Sequence, residues 1–542
     1  MTETAGTGTR WITAVIAVLL LAGAFSAAFR PVWDPDSYWH LAFGKYIFEN
    51  GRLPHEEPFA FSAEGRPVAD LSWLPHLAFF LVFWLGGYPA LEISVSLLAV
   101  FAMGILILLF IKERMEIAAL GLYFGLFFRM YYARFRLRPE AVSLVIFAAL
   151  LLLLYLYRDD KLWFMAAFPL LFLLWAQVHS SWIYGLAAAP FFLLEKNGVK
   201  PSRRLFRDAL WLLLMPVAAI FINPHGWKAF TFPFSSFLTM KDQPVLTISE
   251  WAPLSINRYT AFFLIFSALA VALNAALAVL KRKSPWLPLF AASQLAFLLL
   301  WNRYCSFAFI ALAPSACLLL SPLFEKLKKF RTVLLAAVLL TLAVPFMNLL
   351  SYAGEKSSLP VRYPVAETDF MLSRGISGNL FHTYAMGGYL EFRGYPKLKT
   401  FFDGRTFEFL PEYLEYEKTR KSPLTADLER FVKSRPFEVA VIPYSNAEEY
   451  PRRGEMPRSA LAAVFPAQDW APVFYGPYGM VLLRKIPRFG EIIDRFGYRI
   501  LFPYDDAYVK SRSEKNPEAR ALLEEEKKRA EGSGAGFLKE RR

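Results

Sequence analysis

Two aspartates flank a proline in Asp34-Pro35-Asp36, and Ser37-Tyr38-Trp39-His40-Leu41 follows at once, just past the first apolar run of the chain. Carboxylates at such a place can take a proton from an acceptor hydroxyl or amide, or can ligate a divalent cation such as Mg or Mn. An Asp-x-Asp pair serves equally well as a turn or a helix cap, so the pair alone does not choose. Arg129, Arg134, Arg136 and Arg138 crowd the segment 129–138, and Arg303 lies in a later polar break. A guanidinium fork matches phosphate oxygens, so Arg134, Arg136, Arg138 and Arg303 suit a phosphate or pyrophosphate leaving group. Arginines that snorkel to lipid phosphates are the plainer alternative. Taken together, the carboxylates and arginines suggest transfer of a group from a lipid-linked phosphate donor.

Further candidate site residues are His40, Glu57, His76, His179, His225, Glu250, Asp403 and Arg405. No two histidines have the tight spacing of metal ligands, so they are expected as hydrogen-bonding partners in loops. If a metal is held at all, Asp34 and Asp36 are its ligands. In Asp403-Gly404-Arg405 the glycine allows a tight turn that presents both charges, either to an acceptor or as a structural pair.

The elements that must position these residues are apolar helices. The 542-residue chain is 56% hydrophobic with only two cysteines, and its mean hydropathy is positive, too apolar for an ordinary soluble domain. A bilayer needs about 20 apolar residues per helix. Candidate spans are 11–29, 90–111, 117–133, 139–157, 161–178, 181–195, 207–222, 259–280, 285–301, 304–321 and 331–350, so about eleven crossings are expected. The first run is longer than the core of a signal peptide and is expected to stay as an anchor. The apolar stretch 73–85 is short, and if it does not cross, the basic knots at 112–114, 158–161, 196–207, 281–283 and 325–331 all fall in the cytoplasm. That orientation makes the net charge of +14 a matter of membrane topology rather than of nucleic acid, which is not expected as a partner. It also gathers the unusual polar residues on the outer face, with the N-terminus cytoplasmic. Cys305 and Cys317 lie far apart on one helix, so no disulfide is expected.

With these motifs in view, the chain resembles GT-C-type membrane glycosyltransferases, and more closely a broad group of uncharacterised bacterial members. The resemblance rests on Asp34-Pro-Asp36-Ser-Tyr-Trp-His-Leu, Pro58-Phe-Ala-Phe-Ser62, Trp73-Leu with Gly86-Gly87, Arg138-Pro-Glu140 and His179. It continues through Asn223-Pro-His225-Gly226, Glu250-Trp251, Arg303, Gly387-Gly-Tyr-Leu390 and Phe402-Asp403-Gly-Arg405. It implies a transferase that takes a sugar from a polyprenyl-phosphate-linked donor to a glycan, lipid or protein acceptor at the outer face of the bacterial inner membrane. The chain is distantly similar to oligosaccharyltransferase catalytic subunits, whose catalytic first-loop aspartate corresponds to Asp36, with Asp34 second. It is also distantly similar to protein mannosyl and aminoarabinose transferases, which leave metal use open. It lacks the Trp-Trp-Asp acceptor motif of the former, so N-linked protein glycosylation is not implied.

The expected architecture is an α-helical polytopic membrane module over 1–354 with a large first outer loop, 30–89. A C-terminal extracytoplasmic α/β or α+β domain follows over 355–505, then a charged tail, 506–542, helical or disordered. Short β-like runs are expected at 378–381, 398–402, 438–442 and 480–483, and a helix at 426–434. A lipid or sugar transporter, including a flippase, would call for mid-membrane charges and an internal repeat, neither of which is evident. A non-catalytic envelope scaffold is the other alternative, because resemblance of fold does not establish activity.

Overall fold

The computed structural model describes residues 7–157, 162–242, 252–326, 331–354, 362–421, 425–444, 464–503 and 506–539. The chain divides into two compact units that do not follow sequence order. One holds Met1–Val32 with Ala69–Glu355, the other Trp33–Val68 with Lys356–Arg542.

The first unit is built of apolar helices. Five are long and apolar enough to cross a membrane among the described residues: Trp11–Ala28, Trp73–Lys112, Pro139–Leu156, Arg258–Leu280 and Asn302–Pro322. Shorter apolar helices cover Ile117–Tyr132, Met165–Val178, Trp286–Leu300 and Ala336–Met347. The segments expected at 181–195 and 207–222 are helical too; the second passes through a π-helical turn, Leu210–Leu214. Phe101, Leu108, Ile265, Leu269 and Leu340 face outward on these helices. Apolar side chains exposed along so many helices fit a hydrocarbon surrounding, because in water they would form a large hydrophobic patch. Between helices, aromatic packing fills the interior, as where Tyr123 stacks on Phe309 at 4.4 Å. Helices 73–85 and 88–112 run on from one another across a break at Gly86 and Gly87, where φ of Gly87 is +63°. Only glycine enters that conformation without strain.

The second unit centres on a mixed sheet. Its strands are β1 (Gly378–Phe381), β2 (Leu398–Lys399), β3 (Val439–Pro443), β4 (Trp470–Tyr475) and β5 (Gly479–Arg484), in the order β2-β1-β3-β5-β4. β1 is parallel to β2 and β3, whereas β3–β5 and β4–β5 are antiparallel. Strand β3 is buried along its whole length, as its run Val-Ala-Val-Ile suggests. The expected run 398–402 is strand only at its first two residues, after which the chain bends toward Asp403-Gly404-Arg405. Strand β4 was not among the expected runs.

The loop 33–68 enters this unit as a structural member. The Phe61 N–H donates to Thr400 O at 2.9 Å and the Thr400 N–H donates to Phe59 O at 3.1 Å, extending the sheet edge. Ser62 Oγ donates to Phe401 O. The Pro-Phe-Ala-Phe-Ser motif is therefore a strand-like graft.

The tail is helical, Asp506–Ser513 and Pro517–Gly532, and it is packed rather than solvated: Leu523, Ala530 and Phe537 are buried. Glu526 explains the docking. Its buried carboxylate accepts the backbone N–H groups of Arg499 (2.6 Å), Ile500 (3.1 Å) and Leu501 (2.6 Å). Removing that carboxylate strands the buried Ile500 and Leu501 donors and frees the exposed Arg499 N–H, so Glu526→Ala is expected to lower unfolding stability by about 3 kcal/mol. Denaturant unfolding of the purified protein measures it; an unchanged midpoint would contradict the docking role.

Candidate functional site

In the second unit, the helix Asp36–Asn50 begins at the paired aspartates. Asp34 forms the turn before it: Oδ1 accepts the Asp36 N–H at 3.2 Å, and its carbonyl accepts the Ser37 N–H at 3.0 Å. Asp36 stands in the first turn, where the helix dipole favours a negative charge. The two aspartates thus separate into a turn-former and a carboxylate that the turn presents.

What Asp36 is presented to is visible at Gly404. A methyl group there would collide with Asp36 Oδ1 and lie 3.1 Å from Trp39 Nε1, so only glycine lets the carboxylate rest on the 403–405 turn. Gly388 serves the same fit from the other side, since a methyl there would lie 2.8 Å from the Trp39 backbone nitrogen. Three motifs far apart in sequence, 34–41, 387–390 and 402–405, meet here because two of them carry glycine at the contact.

The turn itself is locked by charge. Arg405 donates through Nε to Asp403 Oδ2 (2.7 Å), through Nη1 to Glu57 Oε2 (2.7 Å) and through Nη2 to Glu57 Oε1 (3.1 Å). Its backbone N–H binds Asp403 Oδ1 at 2.8 Å, and Glu57 Oε1 also accepts from the Phe59 and Ala60 N–H groups. The guanidinium lies over Phe43 and Phe409. Asp403, Glu57 and Arg405 are all buried, and burial alone would discharge Arg405. Asp403 and Glu57 outweigh it and hold the arginine well above its ordinary pKa. Both faces of the turn are therefore occupied, and the structural Asp–Arg pair is the reading this geometry favours.

Two neighbouring carboxyls take up protons. Burial, reinforced by Asp403, pushes Glu391 well above the carboxylate range, and its Oε1 accepts the Thr400 hydroxyl at 2.8 Å. Burial lifts Glu408 to about 7 against the pull of Arg405. His382 is neutral: burial lowers it to about 4. Its Nδ1 donates to Thr383 O and its Nε2 accepts the Phe401 N–H. A ring with both nitrogens committed is a brace, not a base.

In the first unit, Glu140 is a buried hub. It receives Arg134 Nε at 2.8 Å and Arg303 Nε at 3.1 Å, and Arg303 Nη2 lies 3.1 Å from His179 Nε2. Arg138 is the extended residue before Pro139, which opens the helix Pro139–Leu156. Arg134 and Arg303 are thus tied into an internal ion-pair network, while Arg136 and Arg138 are half-buried at the start of that helix. His76 Nδ1 pairs with Asp70 at 3.0 Å. Asn223 binds Gln177 and Ala176 O and accepts the His225 N–H at 2.8 Å. His40 packs its ring against Trp39 at 3.7 Å. Glu250 lies outside the described residues. Glu140 and Glu391 are the partners that sequence reasoning did not single out as site residues, although each sits inside or beside a quoted motif.

Among the described residues no group of three or more His, Cys, Asp or Glu side chains is arranged to hold a metal ion. Asp34 Oδ1 accepts an N–H of its own turn.

No family model matches the chain, and no curated protein does. Solved structures do match in fold. The apo crystal structure of Archaeoglobus fulgidus oligosaccharyltransferase superposes with TM-score 0.50 at 12% identity, over 87% of this chain and 74% of that one. The oligosaccharyltransferase AglB from the same archaeon, in complex with an inhibitory peptide and a dolichol-phosphate, matches with TM-score 0.50 at 11% identity, over 82% and 70%. The chain therefore shares the fold of an oligosaccharyltransferase, as its motif resemblance implied.

Removing the central cation leaves two buried carboxylates unpaired. Arg405→Met is expected to lower stability by about 3–5 kcal/mol, whereas Arg393→Ala, which breaks the exposed pair with Asp369, is expected to cost under about 1 kcal/mol. Equal effects in unfolding experiments would contradict the buried-charge account. A pH dependence follows from Glu367, which accepts the Tyr478 and Gly479 N–H groups. Burial lifts its pKa from 4.5 to about 7. Across that window the folded protein keeps a proton the unfolded chain has lost, so this stability is complete below pH 4.5 and disappears as pH rises through 7. Glu367→Gln is expected to flatten the melting-temperature profile there; a profile as steep as wild type would exclude Glu367 as its source.

Proposed function

We propose that the protein is a membrane glycosyltransferase of GT-C type that moves a sugar from a polyprenyl-phosphate-linked donor to an acceptor at the extracytoplasmic face. The observation that carries this reading is the Asp36 carboxylate, presented by the Asp34 turn and seated on Gly404, in a chain with an oligosaccharyltransferase fold. The solved relative holding dolichol-phosphate supports a lipid phosphate as leaving group.

In this reading an acceptor O–H or N–H gives its proton to Asp36 as the acceptor atom bonds to the anomeric carbon. The carbon–oxygen bond to phosphate breaks, and its electron pair leaves with the phosphate oxygen. General-base help of this kind contributes about 10²–10⁴-fold. The donor-phosphate candidates are those the sequence offers, Arg134, Arg136, Arg138 and Arg303, of which Arg134 and Arg303 reach Glu140. The chain is read as inserted in the inner membrane about eleven times, with basic loops in the cytoplasm. No step is assigned to a metal.

Asp36→Asn is expected to reduce transfer of radiolabelled sugar from a polyprenyl-phosphate carrier by about 10²-fold or more, with melting temperature unchanged. Asp34→Ala, which removes the turn's side-chain acceptor, is expected to cost less activity and some stability. Full activity in the Asp36 variant would remove that residue from the mechanism. Lack of turnover by the wild-type protein with every donor tried would favour the scaffold alternative.

A further inference from the structure

A cavity in the second unit lies outside the site described above. Its volume is about 720 Å³, and it rests against strands β4 and β5. That is the size of a site for a small organic ligand. Trp470 and Pro472 of β4 and Leu482 of β5 form an apolar floor. They share one face of the sheet, since Pro472 is paired with Leu482 and Trp470 lies two residues before Pro472. Phe502 and Tyr508 add aromatic walls, their ring centroids 6.5 Å apart.

Among the described residues, three cations line this cavity, Lys485, Arg499 and Arg512, against one acid, Asp494. All four are exposed. The backbone fixes where Arg499 stands. The Tyr498 N–H donates to Pro472 O at 2.8 Å along the β4 edge, and the Arg499 N–H donates to Glu526 Oε1 at 2.6 Å. Tyr508 and Arg512 are four residues apart on the helix Asp506–Ser513 and so share one face. The Arg512 guanidinium carbon lies 5.2 Å from the Tyr508 ring centroid. Among the described residues no carboxylate pairs with the guanidinium of Arg499 or Arg512. Lys485 donates to Ala467 O at 2.6 Å, and its ammonium has further N–H groups to give.

A ligand matched to this cavity needs an apolar face for the aromatic floor and an anionic edge for the cations. A uronic-acid sugar has both: C–H groups on one face of its ring, and a carboxylate that a guanidinium fork can pair. An acidic peptide would add to the sheet edge, but Tyr498 already occupies that edge at Pro472. We propose that this cavity binds a uronic-acid unit of an oligosaccharide. The strand order β2-β1-β3-β5-β4 sets β4 roughly 19 Å across the sheet from β2, and Asp36 rests on the turn that follows β2. The bound unit is therefore remote from the sugar that reacts. This rests on the glycosyltransferase reading for the class of ligand, and it makes the acceptor a glycan that carries acidic units.

The test reads binding, by calorimetry on the full-length protein in detergent. The probes are trimers of galacturonate, glucuronate and mannuronate, each beside its neutral hexose trimer, with hexaglutamate as an acidic peptide. At least one uronate trimer is expected to bind about tenfold or more tightly than its neutral counterpart and than hexaglutamate, the weight of hydrogen bonds to a charged group. Arg499→Gln combined with Arg512→Gln is expected to abolish that preference at unchanged melting temperature, because both side chains are exposed. The corresponding pair of Lys substitutions is expected to keep part of it as point charges. Arg430→Gln, which removes an exposed arginine outside the cavity, is expected to leave it intact. Wild type without preference for any uronate, a preference that survives the double Gln variant, or equal binding of hexaglutamate overturns the assignment. Preference in a protein that transfers no sugar supports the cavity and counts against the transferase reading alone.

Discussion

A charged guanidinium in a protein interior has to be paired or it is expelled, and the environment of Arg405 follows from that requirement. Its partners come from opposite ends of the chain, Glu57 from the first loop and Asp403 from the C-terminal region. Arg405 binds both carboxylates at once, so the loop and the domain are bound to fold as one unit. The sheet extension at Phe59, Phe61 and Thr400 adds backbone hydrogen bonds to the same junction. Asp36 inherits its place from this lock, because the turn on which it rests is the turn that Arg405 holds.

Glu140 does comparable work among the apolar helices. A carboxylate buried there is tolerable because two arginines reach it, and in doing so they tie the segment before the helix Pro139–Leu156 to the break before Cys305–Lys326. The consequence for function is a division of labour among arginines of similar appearance. Arg134, Arg303 and Arg405 reach buried carboxylates, while the Arg362 guanidinium lies over the Trp33 indole. Residue type alone gives all four the same capacity for phosphate; their surroundings separate them.

Much of the architecture could be read from pattern. Long apolar runs between basic knots specify membrane helices because a bilayer demands internally bonded backbone over a fixed thickness. The strand at 439–443 was legible from its β-branched run, and Gly86-Gly87 marked a helix break. Strand β4 was not, since Trp470-Ala-Pro-Val-Phe-Tyr carries a proline and an irregular pairing between Pro472 and Phe474. The tail was legible only in part: its many Glu and Lys left helix and disorder both open, but Glu526 is buried and accepts three backbone N–H groups. A single inward-facing carboxylate is invisible in a composition of like residues.

The motifs themselves were readable as places where chemistry could occur, because Asp, Arg and Gly at fixed spacing restrict the local backbone whatever surrounds them. Local geometry, as in the Asp34 turn, depends on neighbours a few residues away and so lies within reach of the linear chain. Which charge neutralises which does not. Pairing between Glu57 and Arg405, or between Trp33 and Arg362, is settled by long-range packing, where burial penalises every unmatched charge and leaves few arrangements standing.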